Sequence, residues 1–208
     1  MKVELLEVAG IYSAIRSMRY PHKSSAKSDS VFQVDDDTKQ LVAYTVGPKD
    51  LELAQSLLRL DESHSKAFRG VLAWLEITAP RYFWQEMDTY TIGVIPLSSE
   101  STMHRILKDE ITVHDFEEGT PMATIQTFMD IVKQVKIELS QNIINLIVAK
   151  AIVKKALPES YLQKRVRAFS YITLRRIKKQ RHNHALAEWS KVFCPFIDTL
   201  PLAKEIIF

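Results

Sequence analysis

One cysteine stands among the 208 residues, so no intrachain disulfide can form. Cys194 is flanked by Val192, Phe193 and Phe196, which predicts a buried, inert thiol. Glycine is nearly as scarce, with five residues, and there is no G-x-G-x-x-G, Walker loop or G-x-S-x-G. That argues against a glycine-rich backbone cradle for a dinucleotide pyrophosphate. No apolar run reaches the roughly 20 residues that span a bilayer. The opening MKVELLEVAG does not read as a signal peptide, so the expectation is a cytoplasmic protein, in a host cell's cytoplasm if viral. A strong excess of one charge sign is also missing. Twenty-eight Lys and Arg against twenty-five Asp and Glu leave +3, too little to announce a nucleic-acid binder. Nor do six histidines make a metal set: His182 and His184 are one residue apart, wrong for one helical face, and Cys194 has no second cysteine. No metal is expected.

What is present suits one α+β domain over 1–208, with 46% hydrophobic residues to fill a core. The pattern predicts a small mixed sheet packed with long helices. Lys2 to Val8 reads as a strand and Ile11 to Met18 as a short helix. Residues 19–40 form a polar, flexible loop (HKSSAKSDS, then DDD), and Leu41 to Val46 a second strand. Pro48 and Asp50 open a helix to Leu60, and Asp61 with Ser63 a short one to Phe68. Val71 to Thr78 is the clearest strand, followed by an aromatic-rich helix from Arg81 to about Ile92. Gly93 to His104 reads as a loop able to present hydroxyls to an anion, and Leu107 to Phe116 as a short strand or hairpin. Helices follow from Thr120-Pro121 to Leu139 and from Gln141 to Ala156, where Leu157-Pro158 breaks the run.

Bases dominate from Lys164 to Lys191. Leu162, Val166, Phe169, Thr173 and Ile177 recur at helical steps, so a single long helix is predicted there. Lys164, Arg167, Tyr171, Arg175 and Lys178 fall on its other side as a solvated stripe. Arg181 lies at the edge of the apolar stripe, just before the His182-Asn183-His184 turn, where a half-buried cation can be aimed into a cleft. On that helix Lys164 and Arg181 would stand about 25 Å apart in rise, too far to share a phosphate within one chain. Acid–base candidates are Glu86 and Asp88, carboxylates on the aromatic helix.

The order of motifs resembles a known family. Phe68 is followed by Val71-Leu72-Ala73-Trp74-Leu75-Glu76-Ile77-Thr78-Ala79-Pro80, a helix and the loop SSESTMH. Later come Leu157-Pro158-Glu159-Ser160-Tyr161-Leu162 and then Arg181 with Glu188-Trp189. The layout resembles the flavin-dependent thymidylate synthases across nearly the whole chain, and more closely a divergent group of short bacteriophage proteins. The resemblance implies that Arg181 contacts a pyrimidine nucleotide and is needed for turnover. It also implies that Lys164 and Ser101 hold the nucleotide phosphate, with Ser99 in the same loop, and that Trp189 matches the tryptophan of the family's Ala-Gln-Trp. The family's flavin-gripping Arg-His-Arg is here Thr89-Tyr90-Thr91, its preceding glutamine is Glu86, and its loop arginine is Met103. The two asparagines that hold the flavin fall on Ser170 and Arg176. FAD is the cofactor the resemblance implies, through a set of positions that has largely changed.

Two functions follow as expectations. The first is a thymidylate-synthase-like methyltransferase of phage nucleotide metabolism, binding a deoxyuridylate-type nucleotide and transferring a one-carbon group. Its pocket would lie between subunits of a homotetramer, with Arg181, Glu86 and Tyr90 catalytic. The second is a catalytically inactive module that binds or sequesters a nucleotide, such as a phage counter-defence protein. No membrane partner is expected, and a nucleic-acid reading through the basic stripe ranks last.

Overall fold

The computed structural model describes residues 1–60 and 63–207. The chain begins with strand β1 (Lys2–Ala9) and helix α1 (Ile11–Ser17), whose Ile11, Ala14 and Ile15 are buried. A hairpin of β2 (Val31–Val34) and β3 (Leu41–Thr45) and helix α2 (Pro48–Leu60) follow. Next come β4 (Leu72–Pro80), α3 (Arg81–Met87), β5 (Val94–Ser99) and α4 (Thr102–Arg105). The long helices are α5 (Met122–Ser140) and α6 (Leu146–Ala156). Strand β6 (Leu162–Ser170) leads into α7 (Tyr171–Arg181), a π-helical turn (Glu188–Phe193), α8 (Cys194–Ile197) and α9 (Ala203–Ile206). The larger sheet has the order β1-β4-β6-β5. The α+β class holds.

Two compact units make up the chain. The first contains Met1–Lys2, Glu76–Thr89 and Leu97–Val166; the second contains Val3–Leu75, Tyr90–Pro96 and the chain from Arg167 on. The first unit's core is helical. Ile125, Phe128, Val132 and Val135 recur along α5 at 3–4 residue steps, giving one buried stripe. They pack with Ile106, Ile111, Phe116, Ala149, Val153, Leu157 and Tyr161. Edge-to-face contacts join Phe116 to Tyr161 (5.6 Å) and to Phe128 (6.1 Å), the arrangement that ring quadrupoles favour. Burial pushes the Tyr161 hydroxyl up to about 12. In the second unit Phe169, Trp189 and Phe193 form a comparable aromatic chain.

Several expectations are corrected. The predicted long basic helix is two elements: 162–170 is a strand with β4 on one side and β5 on the other, and only 171–181 is helical. Leu, Gln, Lys and Arg favour helix locally, but strand neighbours on both sides override that preference. A helical rise therefore cannot separate Lys164 from Arg181. The solvated stripe goes with it, since Arg167 and Tyr171 are buried. The loop at 93–104 contains β5 and α4; Pro96 is tolerated because β5 ends the sheet, where a missing N–H breaks no ladder bond. The aromatic helix stops at Met87, short of Ile92. Leu107 to Phe116 holds a short 3-10 turn (Val113–Asp115) and an isolated bridge from Phe116 to Tyr161, not a hairpin. The expected helix from 141 begins at Leu146, capped by Asn145, whose side chain accepts from the Val148 N–H (3.0 Å). The helix expected to start at Asp61 opens outside the described residues; the 3-10 turn there spans Lys66–Gly70.

Residues 19–40 are not a bare loop. They carry β2, two 3-10 turns and one end of a buried ion pair. Arg19 Nε donates to Asp50 Oδ1, with side chains 6% and 0% exposed. Asp50 Oδ2 accepts from the hydroxyls of Ser28 (2.6 Å) and Ser30 (2.5 Å) and from the Ser30 N–H. Asp29 accepts from the N–H groups of Lys49 and Asp50 at the start of α2. The serine-rich segment is thus tied to the helix by satisfying a buried carboxylate. Desolvation raises the Asp50 carboxyl, but the Ser28, Ser30 and Arg19 bonds and the Arg19 charge outweigh it, so its value is lowered.

Asp50→Asn should destabilise the protein by about 3 kcal/mol in urea unfolding, because it leaves Arg19 buried without its counter-charge. The wild-type contribution of this carboxylate should be complete above the ordinary aspartate value of 3.8 and disappear as pH falls through the lowered folded value. The difference between the two proteins should therefore shrink only in that acid range.

Candidate functional site

Arg181 closes α7, and its geometry follows from how that helix begins. Ser170, the last residue of β6, is the N-cap: its Oγ accepts from the Thr173 N–H (3.2 Å) and lies 2.9 Å from Thr173 Oγ1. Thr173 Oγ1 in turn donates to the Ile92 carbonyl (2.8 Å), and the Ser170 N–H donates to the Gly93 carbonyl (2.8 Å). Gly93 has φ +74°, and a Cβ there would lie 2.3 Å from Thr173 Oγ1, so only glycine lets the 92–93 backbone approach. This fastening places Tyr90, two residues earlier, against the last turn of α7.

Tyr90 is 7% exposed and its hydroxyl links two residues of that turn. It accepts from Arg181 Nε (3.0 Å) and donates to Gln180 Oε1 (2.9 Å). The Arg181 guanidinium lies 5.8 Å from the Tyr90 ring centre and 5.0 Å from that of fully buried Trp189. Its Nη1 is 2.7 Å from His184 Nε2. Two aromatic faces and a phenol hold the cation in one orientation. A planar cation fixed in this way suits a carbonyl or oxyanion. Arg181, Tyr90 and Trp189 thus stand together, with the tyrosine turned inward as a support.

The remaining candidates are placed differently. Arg176 Nη2 donates to the Ile92 carbonyl (3.3 Å), and its guanidinium lies 6.0 Å from the Tyr90 ring centre. Ser170 is 3% exposed, with its hydroxyl used in the cap. Glu86, Ser99, Ser101 and Lys164 belong to the first unit, whereas Arg181 and Tyr90 belong to the second. Glu86 is half-buried on α3, while Asp88 is exposed beyond its end, 3.3 Å from Arg165. Ser99 is exposed on β5.

Lys164 and Ser101 meet around Glu100. The Glu100 N–H donates to the Lys164 carbonyl (2.9 Å), and the Lys164 N–H to Glu100 Oε2 (3.2 Å). Lys164 Nζ pairs with Glu76 Oε1 (3.0 Å), the two side chains 43% and 31% exposed. The Ser101 hydroxyl is 3.3 Å from His104 Nδ1, and Arg105 pairs with Glu100 (3.0 Å). Arg105 Nε also donates to Asp109 (2.9 Å), so Glu76, Glu100 and Asp109 together balance Lys164 and Arg105. Half-exposed pairs of this kind contribute little and rearrange easily.

Sequence reasoning missed Gln180, His184 and Gly93 as parts of the Arg181 setting. Gly93 was the available signal: among five glycines, one stands directly between a tyrosine-containing loop and a strand. At Cys194 the expectation is met. The thiol is buried, and desolvation pushes it up to about 11 despite the nearby charges of Lys178 and Arg181. Among the described residues its sulfur has no hydrogen bond to a histidine.

No protein-family model and no curated protein match the chain. Solved structures do. A crystal structure of the flavin-dependent thymidylate synthase ThyX from Helicobacter pylori complexed with FAD and dUMP superimposes with a TM-score of 0.71 at 19% identity. It covers 100% of this chain and 98% of that one. A second structure of the same enzyme with FAD and dUMP gives 0.72 over 100% and 97%. The UMP/dUMP methylase PolB from Streptomyces cacaoi, bound with 5-Br dUMP, gives 0.64 at 15% identity over 100% and 94%.

Cys194 should resist Ellman's reagent in the native protein at pH 8 and react fully once guanidinium unfolds it. Tyr90→Phe should lower stability by about 1–3 kcal/mol in urea unfolding, because Arg181 and Gln180 lose a shared partner. From end to end, this chain has the fold of the flavin-dependent thymidylate synthases.

Proposed function

We propose that this protein binds a pyrimidine nucleotide of the deoxyuridylate type, using Arg181 as its principal base- or phosphate-facing cation. One observation carries this reading. Arg181 is held rigid by Tyr90 and Trp189 at the end of α7, in a fold matched over the whole chain by structures holding dUMP or its 5-bromo analogue. Lys164 and Ser101, with His104 and Arg105, form a second set of phosphate-compatible donors; a bound phosphate would displace Glu76 from Lys164. In this reading several copies of the chain complete the pocket in a homotetramer. Support for assembly comes from the exposed apolar residues at the start of α6, where Ile143, Leu146 and Ile147 are 66%, 50% and 79% exposed.

A flavin fits the transferred positions poorly. Ser170 spends its hydroxyl on the α7 cap inside the core, and Arg176 is held by a carbonyl and the Tyr90 ring. The loop residues Thr89 and Thr91 carry no charge with which to grip a pyrophosphate. A second reading, one-carbon transfer to the bound base, is favoured by the fixed Arg181 guanidinium, which can polarise a carbonyl on which charge develops.

Calorimetric titration of the purified chain with dUMP should show saturable binding, which Arg181→Ala should weaken about 10- to 100-fold, the worth of a charged hydrogen bond. Undiminished binding by that variant would show that the nucleotide sits elsewhere. The purified protein should lack visible flavin bands. Formation of dTMP from dUMP with methylenetetrahydrofolate, which would supply both the carbon and the hydride and leave as dihydrofolate, would establish the second reading; binding without product leaves sequestration. Ile147→Lys should reduce the oligomer mass measured by light scattering.

A further inference from the structure

Away from Arg181, the second unit holds a cavity of about 290 Å³ lined by Tyr12, Ile15, Arg16, Arg19, Ser25, Ser28, Ser30 and Phe32. That volume is at the lower edge of the roughly 300–1,000 Å³ typical of small-ligand pockets. Its floor is the buried Arg19–Asp50 pair, which uses Arg19 only partly. The Arg19 residue is 5% exposed and its Nε is spent on Asp50, but among the described residues its two terminal nitrogens have no hydrogen-bond partner. A guanidinium has five donors, and the terminal ones of Arg19 keep some accessible surface, so an anion in the cavity can reach them. Asp50 cannot take them up, since its second oxygen already accepts from Ser28 and Ser30.

The surroundings favour an anion with an apolar body. Arg16 stands at the rim, held by a 2.6 Å bond from its Nη1 to the Tyr12 hydroxyl. Two arginines against one carboxylate leave the cavity walls with a net positive charge. Ser25 is exposed, and among the described residues its hydroxyl has no partner, so it can donate. Opposite, Tyr12 and Phe32 are in ring contact (4.9 Å between centres) and join Ile15 as an apolar wall. Terminal guanidinium nitrogens in a fork match the geometry of phosphate oxygens.

We propose that this cavity is a second ligand site, taking a small phosphate monoester. Its phosphate is held by the terminal nitrogens of Arg19, by Arg16 and by Ser25, and its flat apolar substituent lies on Ile15, Tyr12 and Phe32. The proposal is independent of the nucleotide reading, because none of these residues belongs to the Arg181 cluster.

Phenyl phosphate is titrated into the full-length protein while the Arg19 side-chain Nε resonance and the amides of residues 25–30 are followed by NMR. Saturable shifts are expected there, at lower concentration than with inorganic phosphate. They should persist in Arg181→Ala, which separates this site from the proposed nucleotide site. Arg19→Lys keeps a charge beside Asp50 but loses the fork, and should weaken binding at least severalfold. Should that variant fail to fold, the surface changes Arg16→Ala and Ser25→Glu serve instead: the first should weaken binding and the second abolish it, both with an unchanged melting temperature. Absence of saturable shifts, equal affinity for inorganic phosphate, shifts confined to residues near Arg181, or wild-type binding by Ser25→Glu would each overturn the proposal.

Discussion

The junction at Ser170 is the constraint on which the placement of α7 and its last turn depends. A central strand must end and a helix must begin within one residue, with both sides of the turn buried. The Ser170 hydroxyl meets the helix's orphan N–H at Thr173, and Thr173 passes the connection to the Ile92 carbonyl. Because Gly93 has no side chain, the 92–93 backbone can come close enough to close this network. α7 therefore leaves the sheet in a fixed direction, and ten residues later its last turn presents Arg181 to Tyr90 and Trp189. A loosened cap would shift a cation whose usefulness lies in not moving.

Basic residues here are mostly structural. Arg175 donates to the Leu58 carbonyl (2.6 Å), Lys178 pairs with Asp198, and Arg165 covers the Trp84 ring at 4.5 Å. Burial lowers the Lys178 ammonium, as expected where a cation gives up water. What looked like a uniform basic face is a set of separate fastenings. This weakens the nucleic-acid reading, which needs cations free to meet phosphates along one surface.

A shared fold does not by itself carry shared chemistry. Superposition extends over its full length, whereas the positions that the resemblance assigns to flavin hold a helix cap, a carbonyl-bound arginine and an inward tyrosine. Tyr90 serves this chain as the buried support that orients Arg181. A scaffold can keep its strands and helices under such change because its core contacts do not pass through the ligand.

Periodicity in the sequence determined the local elements that carry their own signals. The α5 stripe of Ile125, Phe128, Val132 and Val135, the Leu157-Pro158 break and the strand ending at Ala79-Pro80 were all readable. So was the inert setting of Cys194, from its apolar neighbours. Motif order also disclosed the fold. Strand β6 was not readable: buried on both sides at Arg167 to Ser170, it shows no alternation, and its residue types favour helix. Nor could the sequence reveal that Asp50 takes Arg19 from thirty-one positions away, or that Tyr90 faces inward. Those outcomes depend on which distant groups must be satisfied once water is excluded, and only the tertiary structure decides that.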